Sequence, residues 1–289
     1  MYLAIISDIH SNYMALENAL CQLEGLHPDG MIFLGDYLTD FPYPQNTLRL
    51  IDECRATFPC WFVRGNREDY LLSHRRDPTD GWRYSSSSGS LLYTYENLTK
   101  DDLDRFESMP ISIDIDFAAL TGDSSLPPLS ACHASPRATK EWIMNRPALI
   151  EQCLSEVKGS ALLCGHTHRG GIAEANHKRV IFCPSVGLPM DRRPGAKFLL
   201  LEPKRGVWRY RTYIADYDKD KMAAEFERSG LAEKAGVWAK CIIRSMYEER
   251  DLAARCVALA WRIAASEKFD GAILPEEYWE RAARELGII

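Results

Sequence analysis

The 289-residue chain is 46% hydrophobic and 26% charged, a globular balance that excludes a disordered polypeptide and allows one large domain with a sizeable core. Its net charge of −6 argues against broad, sequence-independent nucleic-acid binding, which needs Lys and Arg to neutralise phosphates, and no apolar run approaches membrane-span length. Nine scattered cysteines without a C-x-x-C pair indicate neither a disulfide framework nor a thiolate zinc site, and the short N-terminal apolar run lacks the basic flank of a secretory leader, so a cytoplasmic protein with reduced thiols is expected.

The first apolar run, Tyr2 to Ile6, reads as a strand buried on both faces and breaks into Asp8-Ile9-His10. Side-chain alternation predicts that Asp8 and His10 leave the strand end on the same side. Taken alone, Asp8 reads as a cap and His10 as a turn histidine. Ser11 or Asn12 can cap a helix with Leu16, Leu20 and Leu23 on its apolar face, ending at Gly25 to Pro28. A second run, Met31 to Leu34, breaks into Gly35-Asp36; a helix from about Gln45 to Arg55 follows the loop Thr39 to Pro44. The third run, Trp61 to Val63, breaks into Arg64-Gly65-Asn66-Arg67-Glu68. Strand and helix alternate as in a wound α/β sheet, where functional groups gather beyond the carboxyl ends of strands. No turn carries a dinucleotide or P-loop glycine pattern.

Residues from Leu71 to Met109 are helical and polar in pattern, with a loop at Ser85 to Ser90 and Leu103 and Phe106 facing the core. Pro110 stops the helix before a strand at Ile111 to Ile115. After a turn from Thr121 to Pro128, Leu129 to Cys132 runs into His133. A helix near Pro147 to Val157 precedes Ala161 to Cys164, which breaks into Gly165-His166-Thr167-His168. Short strands are expected at Val180 to Cys183, Lys197 to Leu201 and Val207 to Tyr213. Past Asp216 the pattern is purely helical, and the last helix starts at Pro275 and stops near Gly287. The expected division is a domain over 1–215 and a helical extension over 216–289, packed on it or acting as a lid. His27, His74 and His177 read as surface residues, and Cys132 and Cys164 as buried structural thiols.

Asp8, His10, Asp36, Asn66, His133, His166 and His168 all sit at the ends of apolar runs, and four of the seven histidines are among them. Seven N and O ligands without a thiolate are too many for one tetrahedral zinc but fit two metals sharing a bridging carboxylate. Two metals about 3.5–4 Å apart can clamp a phosphate and activate a bridging water.

D-x-H, G-D, G-N, a lone His and G-H-x-H in this order resemble the calcineurin-like metallophosphoesterase superfamily, specifically its small bacterial phosphodiesterase and phosphatase branch. Cys183 to Pro189 resembles a shortened form of that branch's N-P-G-S-V-G-x-P segment. The resemblance covers about residues 1–215 and implies an α/β fold, a four-layer α/β/β/α sandwich. It implies that Asp8, His10 and His168 hold one metal, that Asn66, His133 and His166 hold a second, and that Asp36 bridges them. Asp36, Asn66 and Arg67 then form the catalytic set, with in-line attack by a metal-bridging hydroxide. Two divalent ions are implied, Mn2+ or else Fe or Zn.

The chain departs from the family pattern after Gly65-Asn66. Many relatives carry His and an acidic residue there; here the pair is Arg67-Glu68. Arginine cannot donate a proton at neutral pH but can fork hydrogen bonds to phosphate oxygens. The expected substrate is therefore a small-molecule phosphodiester or phosphoanhydride, nucleotide-type rather than a simple sugar phosphate. Arg67, Arg192 and Arg193 are candidate phosphate binders. Two alternatives stand beside this reading: a metal-binding or degenerate scaffold that docks a protein partner, and a nuclease.

Overall fold

The computed structural model describes residues 1–289. Its first half lays down three parallel strands, β1 (Leu3–Ile6), β2 (Gly30–Phe33) and β3 (Cys60–Phe62), connected by helices α1 (Tyr13–Glu24) and α2 (Pro44–Thr57). Asn12 caps α1 by accepting the Ala15 N–H at 3.2 Å, and Leu16, Ala19 and Leu23 bury its inner face. Helix α3 (Asn66–Arg76) follows β3 directly. It starts five residues before the expected helical stretch because the Glu68 carboxylate turns back to accept the Gly65 N–H at 2.9 Å.

Helices α4 (Gly89–Glu96) and α5 (Lys100–Ser108) lead into β4 (Ser112–Ile115), and a short helix α6 (Phe117–Thr121), capped by Asp116, precedes the turn expected from Thr121 onward. The second sheet then forms from β5 (Leu129–Cys132), β6 (Ala161–Cys164), β7 (Gly171–Ala175) and β8 (Lys178–Phe182), with α7 (Pro147–Glu156) on its outer face. β7 escapes a sequence reading because it is a half-buried edge strand without a β-branched run. β9 (Ala196–Lys204) and β10 (Val207–Ala215) return to the first sheet, giving the orders β10-β9-β1-β2-β3 and β4-β5-β6-β8-β7. Both sheets are mixed: β9 runs antiparallel to both its neighbours, β1 and β10, in the first, and β4 and β7 pair antiparallel at the edges of the second.

The inner faces of the two sheets meet in one core that includes Leu3, Ile5, Ile32, Leu129, Leu163 and Trp208. Helices α1 and α2 cover the outside of the first sheet and α7 that of the second, so the layers run α/β/β/α. Each large apolar side chain removed from water there contributes roughly 1.5–3 kcal/mol before conformational entropy is counted. Helices α8 (Lys219–Arg228), α9 (Leu231–Glu248), α10 (Leu252–Ser266) and α11 (Glu276–Glu285) build a separate core into which Met14, Phe41, Tyr93 and Leu188 insert. α9 is kinked at Gly236 (φ 53°, ψ −125°), where the Ser86 hydroxyl accepts the Val237 N–H at 2.8 Å. No helix is long and apolar enough to cross a membrane.

His74 corrects the expectation of a surface histidine. It is buried, stacked on Trp82 at a centroid distance of 4.2 Å, edge-on to Tyr95, and bonded through Nδ1 to Asp80 Oδ1 at 2.9 Å. Its partners lie six to 21 positions downstream in a polar stretch, so periodicity gives no sign of them.

Asp102 ties α2 to α5. Its Oδ2 accepts the Thr99 N–H at 2.9 Å and the Gln45 amide at 2.8 Å, while Thr99 Oγ1 accepts the Asp102 N–H at 3.1 Å. Burial opposes ionisation of this carboxyl, but the hydrogen bonds from Thr99 and Gln45 outweigh it and lower its pKa. Because the folded pKa lies below the unfolded one, the linked stability is present at neutral pH and is lost as pH falls through the folded value. Asp102→Ala is expected to cost about 1–2 kcal/mol in urea unfolding at pH 7, with the difference from wild type narrowing under acid.

Candidate metal centre

Five of the seven expected ligands have left-handed backbone: Asp8 (φ 52°), His10 (56°), Asp36 (52°), His166 (65°) and His168 (56°). This corrects the argument from strand alternation. β1 ends at Ile6, and Asp8 and His10 converge because the loop after it is coiled, not extended. Non-glycine residues at positive φ are uncommon and persist only where surrounding contacts over-determine them. Here the loops bond to one another: His10 N–H to Asp36 O at 3.0 Å, Gly187 N–H to Asp8 O at 3.0 Å, and Met190 N–H to His168 O at 3.2 Å. Gly35 (φ 84°) lets two of these loops touch, since a Cβ there would lie 2.6 Å from Gly65 N.

The result is two compact ligand groups. Asp8, His10 and His168 form one and Asp36, His133 and His166 the other, with the donor atoms of each within 4.8 Å of one another. Asn66, the first residue of α3, points Oδ1 at His133 Nε2 from 3.1 Å. Arg67 also faces this pocket, which His10, Asp36, Asn66, His166 and His168 line together with Trp142 and Trp238. Arg192 is exposed and lines an adjoining cavity; the Arg193 side chain is exposed and lines neither.

The proton positions follow from the partners. His133 Nδ1 faces Leu34 O at 2.7 Å and His168 Nδ1 faces Leu188 O at 2.6 Å, carbonyls that can only accept. His10 Nδ1 lies 3.0 Å from Asp40 Oδ2. In their neutral forms His133 and His168 therefore aim a bare Nε2 inward, and the Asp40 carboxylate beside Nδ1 favours the same tautomer of His10. Two of these lone pairs, on His10 and His168, face each other at 3.2 Å. His133 Nε2 faces Asn66 Oδ1 and, at 3.4 Å, Asp36 Oδ1. Backbone donors reach the carboxylates, Asp36 Oδ1 accepting the Arg67 N–H at 2.8 Å and both Asp8 oxygens the His166 N–H at 3.1 Å, while the inward imidazole nitrogens face one another and Asn66 Oδ1; N and O groups of this kind fit divalent metal ions.

Among protein groups alone the charges respond accordingly. Burial would raise the Asp36 carboxyl, but His133, His10 and Arg67 hold it far below the usual range. Burial would lower His133, but Asp36 and Asp8 outweigh it and push it up to about 10. Burial and the neighbouring His133 lower His166 to about 4. Glu68, buried and beside Asp36, rises to about 7 and serves the backbone, accepting the Asp36, Tyr37 and Gly65 N–H groups, each at 2.9 Å.

Asp40 and Trp238 have no place in the sequence-based set. Asp40, four residues after Asp36, is buried between His10 and Arg67, with Arg67 Nη2 2.9 Å from its Oδ2. Trp238 of α9 donates Nε1–H to Asp40 Oδ1 at 2.8 Å, and its ring lies 5.9 Å from the Arg67 guanidinium. A second acid in the Gly35 to Asp40 loop was a visible signal; Trp238, 198 positions away, gave none. Burial opposes the Asp40 charge, but Arg67, His10 and Trp238 hold its pKa well below the usual carboxylate range. Cys132 and Cys164 are buried with sulfurs 3.4 Å apart, and all nine cysteines are free.

Removing one partner of a buried ion pair leaves the other charge uncompensated, typically at about 3–5 kcal/mol. Asp40→Ala is expected to destabilise the chelator-treated protein by about 2–4 kcal/mol, reduced from that range because Asp36 stays within reach of Arg67. Arg67→Ala added to Asp40→Ala is expected to recover part of the loss. A double-mutant cycle by urea unfolding reads this coupling directly, and additive losses would contradict it.

A family model described as calcineurin-like phosphoesterase matches residues 1–170. An uncharacterized protein of Methanocaldococcus jannaschii is 23% identical over 251 residues, 81% of this chain and 95% of its own length. A hypothetical protein from Pyrococcus horikoshii superposes with a TM-score of 0.69 at 19% identity, covering 86% of this chain and 98% of the other. A metallophosphoesterase from Sphaerobacter thermophilus gives a TM-score of 0.65 at 20% identity, covering 86% and 100%. Those two structures share the fold, and the family match covers more than half of the sequence. The chain belongs to the calcineurin-like phosphoesterase family and is a metal-dependent phosphoester hydrolase.

Proposed function

We propose that this hydrolase is dinuclear and cleaves phosphodiester or phosphoanhydride bonds of nucleotide-type small molecules. The position of Asp36 carries the reading: Oδ2 lies 3.7 Å from His10 Nε2 in one ligand group and Oδ1 3.4 Å from His133 Nε2 in the other. A carboxylate with one oxygen toward each group suits two adjacent divalent ions. Asp8, His10 and His168 would hold one, Asn66, His133 and His166 the other, and Asp36 both. The donor set accepts Mn2+, Fe or Zn, with Mn2+ the first choice to test. Bound divalent ions supply Lewis-acid activation of water and of phosphoryl oxygens.

The chain's own side chains then set the preference. Arg67 is held by Asp40, and its Nε has no hydrogen-bond partner within the protein. It can direct donors at phosphoryl oxygens but cannot protonate a leaving oxygen. General acid help is typically worth roughly 10²–10⁴-fold, so its absence at this position should be felt most by basic alkyl leaving groups and least by phosphates or activated diesters. Trp142 and Trp238 offer flat apolar surface beside the ligands, suited to a nucleobase. In this reading residues 1–215 carry the chemistry and 216–289 cover the mouth through Trp238, Ile242 and Asp251. Reduced cysteines and a net charge of −6 support a cytoplasmic small-molecule enzyme over a nuclease.

Elemental analysis of Mn2+-loaded protein is expected to give two ions per chain, falling to about one in His133→Ala. Chelation should abolish hydrolysis and Mn2+ should restore it. An Asp36→Ala variant that kept its metal and its activity would favour the scaffold alternative. In a substrate panel, anhydrides and aryl or nucleotide diesters should exceed alkyl monoesters by at least tenfold in kcat/KM. Fast turnover of alkyl monoesters alone would refute the preference.

A further inference from the structure

Beside the ligand pocket lies a second cavity of about 430 Å³, and four of its eight lining residues are arginines: Arg169, Arg192, Arg250 and Arg255. The two cavities share Arg169, Met190, Asp251 and Ala254 as a common wall. Only Arg250 among the four has a carboxylate within 4 Å, Glu248 at 3.7 Å. The one acid in the lining, Asp251, has an oxygen engaged in capping α10 through the Ala254 N–H at 2.8 Å.

The backbone that carries these arginines is pinned. Arg192 N–H donates to Glu249 O at 3.2 Å, and Gly195 N–H to Glu249 Oε1 at 3.1 Å, which joins the loop of Arg192 to the α9–α10 junction beside Arg250. Glu249 is itself buried and fixed by Lys219 Nζ at 2.7 Å. Arg169 donates Nε–H to Met190 O at 3.1 Å, one residue beyond His168. Uncompensated cations are therefore gathered at one place in a chain whose net charge is −6. Such a cluster creates a local positive potential that attracts a polyanion, and guanidinium forks match phosphate oxygens two at a time.

We propose that this cavity is an anion subsite for a linear phosphate chain, whose unit to be cleaved reaches Asp36 while further phosphates lie among Arg169, Arg192, Arg250 and Arg255. The proposal rests on the phosphoesterase reading of the neighbouring pocket and narrows its substrate to compounds with several consecutive phosphates. The α9–α10 junction supplies Arg250 and the first turn of α10 supplies Arg255, so the C-terminal helices contribute to substrate choice as well as to covering the site.

Calorimetric titration of inorganic tripolyphosphate into the full-length, chelator-treated protein tests this without turnover. Arg192→Ala/Arg255→Ala is expected to weaken binding at least tenfold, while Arg211→Ala, on the edge strand β10 outside both cavities, leaves it unchanged. Binding unaltered in the double variant, or reduced equally by Arg211→Ala, overturns the subsite. Should the double variant be unstable, Arg255→Gln at an exposed helix position is expected to weaken binding about threefold, and no change there overturns the proposal equally. A parallel titration with adenosine triphosphate separates the sources: equal affinity identifies the bare phosphate chain as the ligand, and tighter binding adds the nucleoside. Arginine-dependent binding without hydrolysis of any phosphate compound leaves the subsite standing and removes the catalytic reading. Hydrolysis with arginine-independent binding does the reverse.

Discussion

The site depends on lone pairs that face one another. His10 and His168 present bare nitrogens across 3.2 Å, and Asp36 stands between them and His133 with one oxygen toward each side. Backbone N–H groups of Arg67 and His166 reach the two carboxylates, but acceptors that face one another still repel unless positive charge enters. Protons can supply that charge, as the rise of His133 to about 10 illustrates. Divalent cations supply it more completely, and the family to which the chain belongs is metal-dependent. The fold therefore has to hold six or seven mutually repelling acceptors against their tendency to separate.

It does so with backbone rather than with side chains. The candidate ligands lie beyond β1, β2, β3, β5 and β6, three strands from one sheet and two from the other, and the sheets are locked face to face by a shared apolar core. Five ligands in left-handed backbone store strain that the cross-loop hydrogen bonds and close glycine contacts sustain. The Nδ1 partners, two carbonyls and Asp40, then set ring orientation and tautomer. Glu68 satisfies three backbone N–H groups of the same loops, a structural duty for the residue beside Arg67.

The helical extension changes the character of this centre. Trp238 reaches Asp40 through the kink at Gly236, and Asp40 in turn contacts both His10 and Arg67. An arginine at that position depends on a buried counter-charge, and the counter-charge is braced from the extension. The same extension walls the arginine-lined cavity. In the proposed reading, Arg250 and Arg255 of this group of helices share phosphate recognition with Arg169 and Arg192 of the sandwich.

Apolar runs in the sequence were enough for an α/β fold and for the candidate ligand positions, while the four-layer sandwich followed from the family resemblance of the ordered motifs. Short, fully buried strands must be continuous apolar runs, so their ends are visible, and polar residues placed there have few other reasons to be present. Asp8, His10, Asp36, Asn66, His133, His166 and His168 were legible as candidate ligands in this way, and α1, α2, α7 and the helices beyond Asp216 as elements. Tertiary structure alone decided what those residues touch. Asp40 became a partner of Arg67 and His10 only when three loops closed on it, and Trp238 and Arg255 entered the region from the far end of the chain. His74 became buried because aromatic rings from a polar stretch folded over it. β7 paired at an edge without any apolar alternation to announce it. The reason is common to all: periodicity records which face of an element is buried, whereas contacts between elements depend on distances that no local pattern encodes.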